Sequence, residues 1–276
     1  MKYWPLDGRV AVVTGAAGGI GRAIAVSLAA RRCHLALADI DAAGLAGTGR
    51  LLATSGVEVS LHRLDVADRD AVAAFPAAVA RRHAKIDLLF NNAGVAVGGL
   101  FEEVGEADFQ WLFDINFWGV VRMTRAFLPQ LRLSDEARIV NISSLFGLIS
   151  PPGQTAYCAS KFAVRGFSNA LRHELEGSTV SVTVVHPGGV ATSIAKNARM
   201  PVARSREAIA AAIAHVDTLL RMPAEKAGEI IVRGVVRRRP RILVGMDAKL
   251  ASLLERLLPV SYWRLMGHAI PGLGAP

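Results

Sequence analysis

Cysteine is nearly missing from this chain. Cys33 and Cys158 are the two in 276 residues, and they show no disulfide pattern. That fits a reducing compartment. No run approaches the roughly 18 consecutive apolar residues of a membrane span. The opening MKYWPLDGRV has no long apolar stretch behind its charge, so a secretory signal peptide is not expected. These absences point to a soluble, cytoplasmic protein. His, Cys and carboxylate residues are not clustered at metal-ligand spacing, so no catalytic metal is expected. Aromatic residues make up only 6% of the chain, and none is interleaved with the cluster Arg237, Arg238, Arg239 and Arg241. Although the net charge is +9, the sequence therefore gives no reason to expect a nucleic-acid partner. The arginines read as a solvated turn between a helix and a strand. Linkers, low-complexity tracts and internal repeats are also lacking, which favours one domain.

Apolar residues are plentiful, at 52% against 20% charged. They fall into strand-like runs that alternate with helical patterns. Strands are expected at residues 9–13, 34–38, 57–64, 87–90, 138–142, 180–185 and 241–244. Helices are expected at 19–31, from strand two through 52, and at 68–82, 106–131, 156–175, 206–220 and 224–238. Pro76 should kink or break the third of these, and Pro129 should end the fourth. Such alternation implies βαβ units and a parallel sheet of about seven strands covered on both faces.

The first strand runs into Thr14-Gly15-Ala16-Ala17-Gly18-Gly19-Ile20-Gly21 and then straight into a helix. Glycines let backbone amides approach a pyrophosphate, and a helix N-terminus offers free N–H groups and the positive end of a dipole. Asp39 ends strand two. A carboxylate there can accept from both hydroxyls of an adenosine ribose and repels a 2′-phosphate, which favours NAD over NADP. Arg22 should point away along its helix. The other role open to Asp39 is capping the next helix. Asp65, after strand three, could meet the adenine or cap its own helix.

Tyr157 and Lys161 lie four residues apart in a helical pattern and so share a face. With a reference pKa near 10, about one tyrosine in a thousand is ionised at pH 7. Making it a base requires about 4 kcal/mol of phenolate stabilisation, and a neighbouring ammonium can supply part of it. On geometry alone the pair could equally be an ordinary surface contact. Cys158, one residue on, faces elsewhere and reads as a packed thiol. His186 reads as a strand-end hydrogen bonder.

Taken together these segments resemble the classical short-chain dehydrogenase/reductase (SDR) family over roughly residues 9–192. The resemblance rests on Thr14 to Gly21, Asp65-Val66, Asn91-Asn92-Ala93-Gly94, Asn116, Ser144, Tyr157-x-x-x-Lys161 and Pro187-Gly188. It implies one Rossmann-like, doubly wound α/β sheet and hydride transfer between a carbinol carbon and NAD. It implies Tyr157 as acid/base, Lys161 as the residue that lowers the tyrosine pKa and holds the nicotinamide ribose, and Ser144 as the hydroxyl that orients the carbonyl. Ser143 would be structural. Asn116 would bend the long helix and support a water relay to Lys161. Gly15, Gly18, Gly19, Ile20, Gly21, Asp39, Asp65, Val66, Asn92, Ala93, Gly94, Pro187, Gly188, Val190 and Thr192 would line the cofactor, with Asn91 steadying the sheet. It also implies a homodimer or homotetramer, built on the helices that begin near Glu106 and Ala156; Trp111, Phe117 and Phe167 are apolar residues there beyond core need.

The same likeness divides the chain into a nucleotide-binding domain at 1–245, with a substrate lid around 190–224, and an extension at 246–276. Leu145, Phe146, Leu148, Ile149 and Pro151 suit a lipophilic alcohol or ketone of steroid, retinoid, aryl or long-chain type. In the extension, Leu250, Leu253, Leu254, Leu257 and Leu258 form an apolar stripe. It reads as a helix packed on the domain or on a sister subunit, or as a greasy lid with weak contact to a membrane surface. Two other functions fit less well: a nucleotide sensor without turnover, and a membrane-associated binding protein.

Overall fold

A computed structural model describes residues 3–201 and 205–269. Seven strands form one parallel sheet: β1 (Val10–Thr14), β2 (His34–Asp39), β3 (Val59–Arg63), β4 (Leu88–Asn91), β5 (Ala137–Ile142), β6 (Val180–Pro187) and β9 (Arg241–Val244), in the spatial order β3-β2-β1-β4-β5-β6-β9. All seven expected strands are present, displaced at their ends by a residue or two. Central strands such as β1 and β4 are continuous apolar runs, which suits burial on both faces, while the edge strand β3 is partly exposed. Alternate residues feed opposite layers: Ala11 and Val13 join one core, Val10 and Val12 the other.

The first core lies under α1 (Gly19–Ala29) and α8 (Ala224–Val236), the second under α3 (Arg69–Ala80), α5 (Gly119–Leu131) and α6 (Thr155–Glu174). Gly228 of α8 permits the contact with α1, because a Cβ there would stand 2.6 Å from the Ala23 carbonyl carbon. The strand order reverses between β1 and β4. In such sheets a ligand crevice opens beyond the carboxyl ends at that reversal. Residues Thr14, Asp39, Asn91, Ile142 and Pro187 end their strands there.

One local expectation needs correction. Pro76 lies inside α3 without ending it. The helix that carries Pro129 ends two residues later, at Leu131, as expected. The expected helix at 106–131 is α4 (Glu106–Phe113), a π-helical turn (Asp114–Trp118) and α5, interrupted at Asn116 where the resemblance implied a bend. Two short strands escaped the sequence. β7 (Val190–Ala191) pairs with β8 (Met222–Pro223) and brackets α7 (Arg206–Leu219), while α2 (Ala42–Leu52) covers β2 and β3 as expected. Short strands of this kind carry too few residues to show a period.

The arginine cluster forms the turn between α8 and β9, at the end of the sheet away from the crevice. Arg238 bonds Glu136 at 2.7 Å, and Arg237 lies 5.9 Å from the Tyr3 ring centroid. Trp4, from the N-terminal segment, is fully buried in the first core, which composition alone does not announce.

Three histidines, His83 and His186 buried and His62 half-buried, make the fold acid-sensitive. Ser60 Oγ sits 2.8 Å from both His62 Nε2 and His83 Nε2, and burial holds both imidazoles below their usual range. Burial pushes His186 down to about 4. Below the unfolded pKa of about 6.5, the unfolded chain therefore binds more protons than the folded one, and stability falls with pH. His186 alone accounts for about 3 kcal/mol between pH of roughly 6.5 and 4. Thermal melts across that window should show a steady drop, and a flat melting temperature would contradict the buried, neutral state of these rings.

Candidate active site

The turn after β1 is built for close approach. Gly15 and Gly19 have φ of 66° and 50°, a region that favours glycine. A Cβ on Gly15 would stand 2.7 Å from the Asn92 amide nitrogen, and one on Gly21 would stand 2.0 Å from the Gly15 carbonyl oxygen. The loop is held from below. Asn92 Nδ2 donates to the carbonyls of Thr14 (2.9 Å) and Gly15 (3.1 Å), and Thr14 Oγ1 accepts from the Asn92 and Ala93 amides. Gly18, at the start of α1, offers no side-chain cap, and the first turn carries no acidic residue. The positive end of that helix is therefore left to something else.

Asp39 faces the same opening. Its Oδ2 accepts from the Ala17 amide at 2.8 Å and its Oδ1 from the Asp41 amide at 3.0 Å. It does not cap the next helix: Asp41 does, accepting from Ala43 and Gly44. Likewise Asp68, not Asp65, caps α3, and Asp65 accepts from the Ala67 amide at 2.8 Å. Arg22 is turned away as expected, bound to Thr48 Oγ1 (2.9 Å) and to the carbonyls of Ala17 and Gly44.

Ser144, Tyr157 and Lys161 converge at the far end of the opening. Ser144 caps a short 3-10 turn (Leu145–Gly147), its Oγ accepting from the Phe146 amide at 3.1 Å. Ser143 is structural, donating to the Lys161 carbonyl at 2.8 Å. Lys161 is buried, with Nζ donating to the Ile142 carbonyl at 3.2 Å and lying 5.7 Å from the Tyr157 ring centroid. Asn116, in the π-turn, bonds both backbone groups of Val95 at 2.9 Å and Ser160 at 3.2 Å. Under the floor, Asn91 bonds Thr124 and Asn141, and Asn141 bonds Ser168, tying β4 and β5 to α5 and α6.

Burial dominates the electrostatics of the chain alone. Burial pushes the Tyr157 phenol up to about 12, against the lowering effect of its hydrogen bond with Ser144. Burial also pushes Lys161 down to about 8. In the chain alone the phenol is therefore protonated at neutral pH, with desolvation as the largest influence. Cys158 is a packed thiol, raised by burial to about 12. His186 is a strand-end bonder, its Nδ1–H donating to the Ser144 carbonyl at 2.9 Å.

One cavity of about 1390 Å³ joins these groups. It takes in Gly15, Gly18, Gly19, Ile20, Asp39, Asp65, Val66, Asn92, Ala93, Gly94, Ser144, Tyr157, Lys161, Pro187, Gly188, Val190 and Thr192. Gly21 and Asn116 do not reach its wall. Gly21 serves loop packing, and Asn116 acts from behind the 94–95 turn.

The sequence missed other wall residues. Trp111 lines the cavity and stacks under Arg199 at 3.5 Å, so it is not spare surface for a subunit contact. Gln154 adds a polar group. Past β9, α9 (Met246–Leu257) contributes Leu250, Ala251 and Leu254, and α10 (Tyr262–Ala269) contributes Trp263 and Met266. Asp247 accepts from the Gly189 amide at 2.6 Å, and Tyr262 Oη from the Ser150 amide at 2.8 Å, fastening these helices over the opening. The leucine period in the tail was visible, but nothing in it said which wall it would meet.

Comparison with known proteins agrees with this architecture. A family model described as short chain dehydrogenase matches residues 9–203. A putative oxidoreductase, SadH of Mycobacterium tuberculosis, is 44% identical, with 96% of each chain covered. A short-chain dehydrogenase/reductase from Burkholderia phymatum, solved in complex with NAD, superposes with a TM-score of 0.86 at 33% identity, covering 92% of this chain and 95% of that one. An alcohol dehydrogenase from Thermococcus sibiricus, complexed with 5-hydroxy-NADP, gives 0.72 at 26% identity, covering 86% and 95%.

Proposed function

The chain belongs to the short-chain dehydrogenase family and is an oxidoreductase of that family, and from that premise we propose that it interconverts a lipophilic secondary alcohol and its ketone with NAD(H). The observation that carries this reading is the meeting of Ser144, Tyr157 and Lys161 with a largely apolar wall inside one cavity.

The cavity fits a dinucleotide. The uncapped start of α1 at Gly18, Gly19 and Ile20 suits a pyrophosphate. Asp39 suits an adenosine ribose, with Asp65, Val66, Asn92, Ala93 and Gly94 beside the adenosine half. Lys161 and Tyr157 suit the second ribose, and Pro187, Gly188, Val190 and Thr192 the nicotinamide amide. Bound NAD(H) would supply the hydride chemistry. The chain's own part is then to hold the carbinol oxygen between Ser144 Oγ and Tyr157 Oη and to move one proton at the phenol. Asn116 keeps the 94–95 turn in place beside Lys161.

The apolar wall favours bulky lipophilic substrates, since a buried charge would need a partner that the wall does not supply. In this reading residues 190–224, of which 202–204 lie outside the described residues, form the lid, with Arg199 bonded to Asp108 at 3.0 Å and Lys196 to Asp217 at 3.3 Å as its latches. Phe117 packs on Trp118 and Phe167, and Trp118 is half exposed, which supports a homodimer or homotetramer through this face. A fluorescence screen for NADH over lipophilic secondary alcohols, run in parallel with NADP, tests the proposal. Turnover of bulky apolar alcohols with NAD is expected. Activity confined to small charged alcohols would reject the substrate class.

A further inference from the structure

Most of the outer face of α9 lies outside the cavity. Met246, Leu250, Leu253 and Leu257 recur at helical spacing on one stripe, and they are 64%, 62%, 55% and 67% exposed. The opposite face is the packed one: Ala248 and Ala251 are buried against the domain, and Asp247 is fixed to Gly189. Met246, Leu253 and Leu257 therefore stay outside the cavity. Val260, 92% exposed, and Leu265 of α10, 57% exposed, extend the apolar surface past the end of α9. Lys249 and Arg256, both exposed, flank the stripe on one side. The acidic residues of α9 are engaged elsewhere, Asp247 with Gly189 and Glu255 beside Arg241.

Leu250 is the informative residue. It belongs to the exposed stripe and also lines the cavity, beside Leu254, Trp263 and Met266. The apolar surface is thus continuous from the outside of the molecule into the substrate half of the cavity.

We propose that α9 and the start of α10 dock on an anionic lipid bilayer and take substrate directly from it into the cavity. This rests on the oxidoreductase reading above for its substrate, but not for its surface. An in-plane helix with leucines on one face and cations at its edge binds by apolar burial together with attraction to acidic headgroups. The chain as a whole carries +9, which acts in the same sense. A second copy of the chain is the weaker occupant. Six apolar side chains fall short of the roughly 20–30 residues a side that a stable protein interface uses, and two copies would bring like charges together. Among the described residues no helix is long and apolar enough to cross a membrane, so the contact is peripheral.

The test is flotation of the full chain with vesicles of phosphatidylcholine alone and with about one-third phosphatidylglycerol, compared with Leu253→Glu/Leu257→Glu. Neither leucine lines the cavity. The wild type should float with the acidic vesicles, less with the neutral ones, and less still in high salt. The double variant should lose at least about ten-fold in bound fraction while keeping its melting temperature and its turnover of a short, water-soluble alcohol. Absence of the wild type from both vesicle types overturns the proposal, as does equal flotation of the variant. A dimer in size-exclusion chromatography that the two substitutions dissolve would assign the stripe to a second copy and overturn it too. Lost flotation with intact turnover removes the lipid inference alone; retained flotation with no turnover of any alcohol or ketone by NAD(H) or NADP(H) removes the proposed reaction alone.

Discussion

Tyr157→Phe should lower kcat by about 10³-fold, within the usual range for loss of a positioned proton donor or acceptor, while NAD binds as before. The substitution is close to isosteric. The ring sits edge-on to Phe146 at 6.1 Å, and that contact needs no hydroxyl. What is lost is the one group placed to exchange a proton with an oxygen held by Ser144. Because burial holds the phenol near 12, the free chain presents a proton donor at neutral pH, which suits ketone reduction directly. Alcohol oxidation needs the phenolate, roughly five pKa units away, or about 7 kcal/mol at neutral pH. Two cations can contribute: the Lys161 ammonium, and the positive ring that an oxidised nicotinamide brings. Lys161 is itself held near 8. The oxidation rate should therefore rise with pH up to that region and stop gaining once the ammonium is lost. Stopped-flow or steady-state rates with both enzymes, beside fluorescence titration of NAD, check this. A variant with near-normal turnover would end the assignment.

Much of this arrangement was legible because it is local in the chain. The seven strands announce themselves by apolar runs between helical periods. The glycine turn, Asp39 and the Tyr157–Lys161 spacing are each fixed within a few residues. What the sequence concealed depends on tertiary neighbours. The bend at Asn116 came only with the family resemblance, because the partner of its amide, the backbone of Val95, is 21 residues away. Trp111 looked like spare interface because its partner, Arg199, lies on a distant segment. The helix spacing shows the ammonium beside Tyr157 but not the burial that pushes the phenol up in the chain alone. The destination of the tail helices rests on two contacts, Asp247 with Gly189 and Tyr262 with Ser150, that no periodicity encodes.

Asp39→Asn should raise the ratio of kcat/KM for NADP over NAD by about 100-fold, mainly through KM. The carboxylate lies at the β2 end of the cavity, with each oxygen already receiving one backbone N–H, so its remaining lone pairs face the place proposed for the adenosine ribose. Opposite a 2′-phosphate, its charge costs about 3–4 kcal/mol at a few ångströms with an effective dielectric near 20. Partial exposure reduces that to about 2–3 kcal/mol, which corresponds to roughly 100-fold in affinity. The amide of asparagine can keep the bond from Ala17, while the Asp41 N–H lies where water can replace the lost acceptor. The sheet register sharpens the expectation. Arg63 of β3 is the cross-strand partner of Asp39, and it is exposed. In-register partners project to the same face of a sheet, so with the carboxylate gone a cation remains beside the position of the added phosphate. Asp39→Asn/Arg63→Ala should accordingly lose most of the gain in NADP use. An unchanged cofactor ratio in the single variant, or a wild type that already prefers NADP, would show that Asp39 does not read the ribose.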